Sequence, residues 1–339
     1  MKTIVLEEPG RFKYADTNPA ENLQPNEALV KVHRIGICGT DFHAYRGNQP
    51  FFTYPRILGH ELGVEVLSVG EEVTNVAVGD KCSVEPYLNK TQDQAVRRGY
   101  TNCGENLSVL GVHQDGGMRE RFKLPAKYLH TSEKLTYEQL AVVEPLGIGC
   151  HAVNRANIQS DDLVLVVGAG PIGLATVIFA TAQGAKTVVM DVNQDRLSFA
   201  QEVTNIHGTV VAGRDDTIDK LQEQFNGDLP TVVLDATGNQ YSMAKALEYA
   251  APAGRIVFVG LFRGDFSFHD PYFHKKELTL MASRNALSSD FKQIIRMMEE
   301  EQIDVSQWIT HRSSFEEMVN EFDDWLKPET GVIKAVVSF

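Results

Sequence analysis

Apolar and polar positions follow two rhythms along this chain, and the change comes near Asp161. Up to about residue 150, short apolar runs are separated by Gly, Pro and Asn. Ala28–Val32, Gly63–Val69 and Asp80–Val84 are examples, the last introduced by a Val-Gly-Asp turn. Runs of this length between turn residues predict strands, and they suggest a partly antiparallel barrel rather than βαβ units. Beyond Asp161 the pattern alternates. Leu163–Val167 is continuously apolar, as expected of a strand buried on both faces. A helix is predicted from Pro171 to Gln183, a strand at Thr187–Asp191 and a helix at Gln194–Val203. Further strands are predicted at Thr209–Val211, Thr231–Asp235, Arg255–Gly260 and Leu278–Ala282. Six strands with helices between most of them predict a doubly wound parallel sheet. After Ser283 the chain is expected to return to the first domain, ending in the strand-like Val332–Phe339. The expected organisation is a β-rich domain over 1–150, completed by 284–339, and an α/β domain over 151–283.

The α/β half opens on a glycine turn. Gly168-Ala169-Gly170-Pro171-Ile172-Gly173 follows the first predicted strand and leads into a helix. The first glycine allows the tight turn, the second lets backbone approach a pyrophosphate, and the third brings helix close to sheet. The helix N-terminus then faces negative charge. Asp191 lies 18 residues beyond Gly173, at the end of the next strand. An acid there hydrogen-bonds a ribose 2′-hydroxyl and repels a 2′-phosphate, so NAD is expected over NADP. Arg196 either stacks on the adenine or is a solvated helix charge. Val259-Gly260-Leu261, at a strand end on the carboxyl side of the sheet, is expected beside the nicotinamide.

Composition narrows the partners. The 339 residues are 43% hydrophobic and carry 32 Lys and Arg against 45 Asp and Glu, a formal charge of −13. That balance argues against nucleic acid or an anionic membrane as partner. MKTIVLEEPG has no basic segment followed by a long apolar stretch, so no signal peptide is expected and the cytoplasm is the expected compartment. The four cysteines, Cys38, Cys82, Cys103 and Cys150, have no framework spacing, which predicts thiols or ligands rather than disulfides.

Candidate chemistry concentrates in GICGTDFHA and LGHEL. Cys38, His60 and Glu61 offer a thiolate, an imidazole and a carboxylate, a set that suits a catalytic zinc ion. Taken singly, Cys38 reads as a small buried hydrophobe and His60 as a core histidine; the joint pattern in two glycine-rich turns favours ligation. Glu144, in VVEPLG, adds a carboxylate in an apolar run, costly to bury without a cation or donor. Either Glu61 or Glu144 ligates, with the other supporting a bound water. Thr40 and His43, two and five residues after Cys38, suit a hydroxyl–imidazole proton relay.

GICGTDFHA, LGHE, VVEPL and VVGAGPIGL, in this order, resemble the medium-chain, zinc-dependent alcohol dehydrogenases, in their polyol and threonine dehydrogenase branch. The resemblance implies a GroES-like catalytic domain and a Rossmann domain. It implies catalytic zinc at Cys38, His60 and Glu61 with Glu144 close by, and proton relay through Thr40 and His43. It also implies a small sugar acid or polyol as substrate and a homodimer or homotetramer. Relatives usually carry a four-cysteine structural zinc lobe, where this chain reads PYLNKTQDQAVRRGYTNCGENL. Lys90, Asp93, Val96 and Gly104 stand in the cysteine positions and Cys103 remains alone, so one catalytic zinc per subunit is expected and no structural one. For a sugar-acid carboxylate, His113, Arg284 and Asn285 are candidates, while Lys275, Lys276 and Arg46 read better as surface residues. Phe51 and Phe52 read as lining of pocket or core. A polyol or L-threonine dehydrogenase is the alternative reading, and a non-catalytic nucleotide-binding relative a further one.

Overall fold

The computed structural model describes residues 1–18, 22–48 and 52–339; Phe51 lies outside the described residues. The chain divides into two compact units, Met1–Pro145 with Leu287–Phe339, and Leu146–Ala286.

In the first unit, Glu27–Ile37 is the organising strand. It pairs antiparallel with Glu61–Val69, with Arg121–Pro125 and with Lys334–Ser338. The sheet runs in the order Ile309–Ser314, Lys334–Ser338, Glu27–Ile37, Glu61–Val69, Lys81–Val84, Leu129–Thr131. Alternation along Glu27–Ile37 buries Ala28, Val30 and Val32 against Leu62, Val64, Val66 and Phe122, as period-two patterning requires. Two registers decide where the chemistry falls. Gly36 faces Glu61, and Ala335 faces Ile37. Cys38, His60, Glu61 and Lys334 therefore meet at one end of three adjacent strands, although Lys334 is nearly three hundred residues from Cys38.

The second unit is a six-stranded, all-parallel sheet in the order Gly208–Val211, Lys186–Asp191, Leu163–Val167, Val232–Asp235, Arg255–Phe258, Thr279–Ala282. The order reverses about Leu163–Val167, as in a doubly wound sheet. Its central strands are buried runs of Val, Leu and Met. Helix Pro171–Ala182 begins with Gly170 as its N-cap and Pro171 in its first turn, where a missing N–H costs nothing and the fixed φ suits the helix. Asn193 and Asn239 cap the helices after the second and fourth of these strands in chain order, each accepting two backbone N–H groups.

Among the described residues, no helix is long and apolar enough to cross a membrane. Residues 39–45 form a short helix where glycine-rich turns alone were expected; Asp41 closes back onto the Cys38 N–H at 2.9 Å and starts it.

Gly63 tests the packing of the first unit. A Cβ there would lie 2.0 Å from the Tyr137 carbonyl oxygen, a backbone atom that cannot swing aside. Gly63→Ala is expected to destabilise the protein by about 1–3 kcal/mol, read as a lower melting temperature.

Candidate metal centre and nucleotide turn

Strand register brings the sulfur of Cys38, a ring nitrogen of His60 and a carboxylate oxygen of Glu61 within 4.8 Å of one another. His60 and Glu61 are buried and Cys38 is half-buried. Zinc bonds of about 2.0–2.3 Å place tetrahedral ligands about 3.5 Å apart, so modest side-chain adjustment suffices. Gly36 makes the room: a Cβ on it would lie 2.1 Å from Glu61 Oε2.

Glu61 and Cys38 are held from behind, and His60 faces a carboxylate. Lys334 Nζ donates to both Glu61 oxygens at 2.7 Å and to the Ile37 carbonyl at 3.2 Å. Burial works against a charged Lys334, but Glu61 and the Cys38 sulfur outweigh it and raise the ammonium's pKa. Asp41 holds the Cys38 N–H and sits 3.8 Å from His60 Nδ1. Asp41 Oδ1 and His60 Nδ1 are buried without a hydrogen-bond partner. A histidine whose Nδ1 faces a carboxylate presents Nε2 to a metal. Burial opposes charging of His60, yet Asp41 and Cys38 raise its pKa well above the usual value. Asp41, Glu61, Glu144 and Cys38 gather here around Lys334 and His60, a field that favours a divalent cation. The donor set fits zinc.

Glu144, on the first turn of Val143–Ala156, is buried beside this set but outside it. Its Oε1 accepts the Tyr87 hydroxyl. Burial raises the Glu144 pKa, against the pull of His60. Thr40 and His43 lie one turn apart on helix Gly39–Tyr45, Thr40 half-buried and His43 exposed. Neighbours at i and i+3 share a helix face.

In the second unit Gly168 takes φ +101°, a left-handed conformation that favours glycine. A Cβ on Gly173 would sit 1.7 Å from the Gly168 carbonyl oxygen, so the turn admits no side chain there. Asp191 Oδ2 accepts the Ala169 N–H at 2.7 Å and Oδ1 the Asn193 N–H at 2.8 Å. One carboxylate thus ties the glycine turn to the next helix start. Arg196 is exposed on that helix. Val259 and Gly260 both donate to the Asp235 carbonyl, at 2.9 and 3.0 Å, and Leu261 is 78% exposed at the sheet's carboxyl edge.

The remaining candidates divide. His113 is exposed, with Nδ1 accepting the Val109 N–H at 3.0 Å. Arg284 is exposed and Asn285 half-buried. Arg46 donates to the Leu326 carbonyl at 3.0 Å and Lys276 to that of Ala250 at 2.6 Å, while Lys275 is exposed. Phe52 packs on Tyr54, ring centroids 4.8 Å apart. In the lobe after Asn89, Asp93 accepts N–H groups from Ala95, Val96 and Glu105 at 3.0, 3.1 and 2.8 Å. Cys103 is exposed. Among the described residues, the only gathered group of His, Cys, Asp and Glu fit for a metal is the one at Cys38.

Sequence reasoning missed Asp41, Tyr87 and Lys334. Asp41 carried a signal, an acid three residues after a helix start. Lys334 carried another, a lone cation within the apolar run GVIKAVV. Tyr87 carried none.

Comparison with known proteins accounts for this arrangement. Residues 24–134 match the alcohol dehydrogenase GroES-like domain, and 171–300 match the zinc-binding dehydrogenase domain. The chain belongs to the zinc-binding alcohol dehydrogenase family. It is an oxidoreductase acting on CH–OH donors, built from a GroES-like and a Rossmann domain. It is 41% identical over 315 residues to L-galactonate-5-dehydrogenase of Escherichia coli strain K12, covering 93% of this chain and 92% of that one. It is 30% identical over 359 residues to D-xylulose reductase of Scheffersomyces stipitis, covering 99% and 98%. An alcohol dehydrogenase from Escherichia coli CFT073, solved with NADH, superimposes with a TM-score of 0.91 at 28% identity, over 100% of this chain and 99% of that one.

Gly36→Ala is expected to push Glu61 off its position and weaken zinc binding by about 10–100-fold, measured by competition with a chromogenic chelator.

Proposed function

We propose that this chain oxidises a secondary alcohol of a sugar acid with NAD, using one zinc ion per subunit held by Cys38, His60 and Glu61. The proposed substrate is L-galactonate and the product D-tagaturonate. The observation that carries the reading is the convergence of sulfur, nitrogen and oxygen donors within 4.8 Å in a chain so similar to L-galactonate-5-dehydrogenase. When bound, zinc supplies Lewis-acid polarisation of the substrate hydroxyl, and NAD supplies the hydride acceptor.

The chain's own residues do the rest. Thr40 takes the hydroxyl proton and His43, exposed one turn along, carries it to solvent. Glu144 supplies the second carboxylate of the site. In the other unit, the backbone of Gly168, Gly170, Pro171, Ile172 and Gly173 receives the pyrophosphate, with the helix N-terminus favouring its charge. Asp191, already fixed by two backbone N–H groups, accepts from a ribose 2′-hydroxyl and repels a 2′-phosphate. Arg196 lies against the adenine, and Val259, Gly260 and Leu261 border the nicotinamide. His113, Arg284 and Asn285 are assigned to the sugar-acid carboxylate, where multiple donors are needed. The reading includes a homodimer or homotetramer in the cytoplasm, acting on a small molecule, with neither nucleic acid nor membrane as partner.

A spectrophotometric panel of L-galactonate, sorbitol, L-idonate and L-threonine tests it, each with NAD and NADP, with and without chelator. L-Galactonate with NAD is expected to be fastest, with NAD favoured over NADP by at least about tenfold in kcat/KM, since like charges set together cost several kcal/mol. Chelation is expected to abolish turnover and zinc to restore it. Faster oxidation of sorbitol would move the substrate to the polyols, and NAD binding without any turnover would make the chain a non-catalytic relative.

Elemental analysis is expected to return one zinc per subunit. Two would overturn the reading of the lobe around Asp93.

A further inference from the structure

Two carboxylates border the metal centre, and their surroundings differ. Glu61 belongs to the 4.8 Å donor set and has both oxygens fixed by Lys334. Glu144 lies outside that set, although it is close enough to His60 and Glu61 for their charges to act on it. A carboxylate with no other partner, this near a divalent ion, would ligate it and close the coordination shell. A catalytic zinc site needs that last position open.

What engages Glu144 is Tyr87. Its hydroxyl donates to Glu144 Oε1, a charge-assisted bond of the strong kind. The phenol is held in place from several sides. Tyr87 is buried, and its strand Tyr87–Asn89 pairs antiparallel with Leu107–Val109. Its ring meets the edge of Phe291, centroids 6.4 Å apart and planes at 73°. Phe291 belongs to helix Ser288–Glu299 and stacks on His130 at 4.9 Å. His130 Nε2 and Ser288 Oγ both bond Glu85 Oε2, at 2.9 and 2.6 Å. The helix is therefore braced at its start, and the tyrosine with it. A tyrosine phenol is ordinarily protonated at neutral pH, so Tyr87 is the donor and Glu144 the acceptor.

We propose that Tyr87 is a positioning residue: by donating its hydroxyl proton to Glu144, it keeps that carboxylate out of the metal's ligand set and reserves the fourth position for the substrate hydroxyl. The inference rests on the zinc reading above and deepens it, assigning Glu61 as the resting ligand.

The test is Tyr87→Phe, which removes one oxygen and keeps the ring against Phe291. Cobalt(II), whose visible bands report coordination, replaces zinc in the full-length protein. In Tyr87→Phe the bands are expected to change, metal release to a chelator to slow by about tenfold, and kcat to fall by about tenfold or more. The double variant Tyr87→Phe with Glu144→Gln is expected to return bands and release rate to those of Glu144→Gln alone. Wild-type bands and release rate in Tyr87→Phe would overturn the proposal. If Tyr87→Phe does not fold, Glu144→Gln alone decides. Bands and release within about twofold of wild type support a carboxylate outside the ligand set, and altered bands with faster release overturn it. A wild-type protein that takes up no cobalt would overturn the zinc reading and this inference together, an outcome separate from any change in a loaded variant.

Discussion

The candidate metal centre depends on one buried ion pair, Lys334 with Glu61. Taking two charges out of water is expensive, and their attraction compensates only when the geometry is good. Here the ammonium reaches both carboxylate oxygens at 2.7 Å and a backbone carbonyl besides. That geometry follows from strand register, with Gly36 opposite Glu61 and Ala335 opposite Ile37. A slip of one residue would turn Glu61 to the other face of the sheet. The C-terminal strand is thus part of the site, and the fold of the first unit and the geometry of its donors are one problem.

The second unit settles its own problem by similar means. A parallel sheet has a strand-order reversal where a ligand binds, and the glycine turn sits there. Asp191 bonds the turn through Ala169 and the following helix start through Asn193. One side chain therefore sets the shape of the loop and the charge beside it. In both units, hydrogen bonds to backbone groups hold polar side chains in place.

Much of this was legible in the sequence where the pattern is local. Leu163–Val167 and Gln194–Val203 have the same limits in the structure as in the hydrophobic pattern, because a buried parallel strand and an Asn-capped helix carry their signals within a few residues. Cys38, His60 and Glu61 were legible as a set from residue type and glycine context, and they do converge. The helix at 39–45 was hidden by its flanking glycines. Lys334 and Tyr87 were not read because their partners are remote: 273 residues separate Lys334 from Glu61, and 57 separate Tyr87 from Glu144. Pairing at that distance is fixed by sheet register and helix packing, and single-residue patterning does not encode it. Arg46 and Lys276, read as surface residues, each donate to a backbone carbonyl that local patterning did not reveal.

The lobe closed by Asp93 has a wider consequence. Where a loop is knotted by thiolates around an ion, folding and metal supply are coupled, and oxidation of the thiols opens the knot. Here a carboxylate gathers three amides of its own chain, and that needs only water and a pH above its titration. Under the proposed single-zinc chemistry, shape and reactivity would draw on separate resources: loss of the ion would take the chemistry and leave this part of the architecture standing.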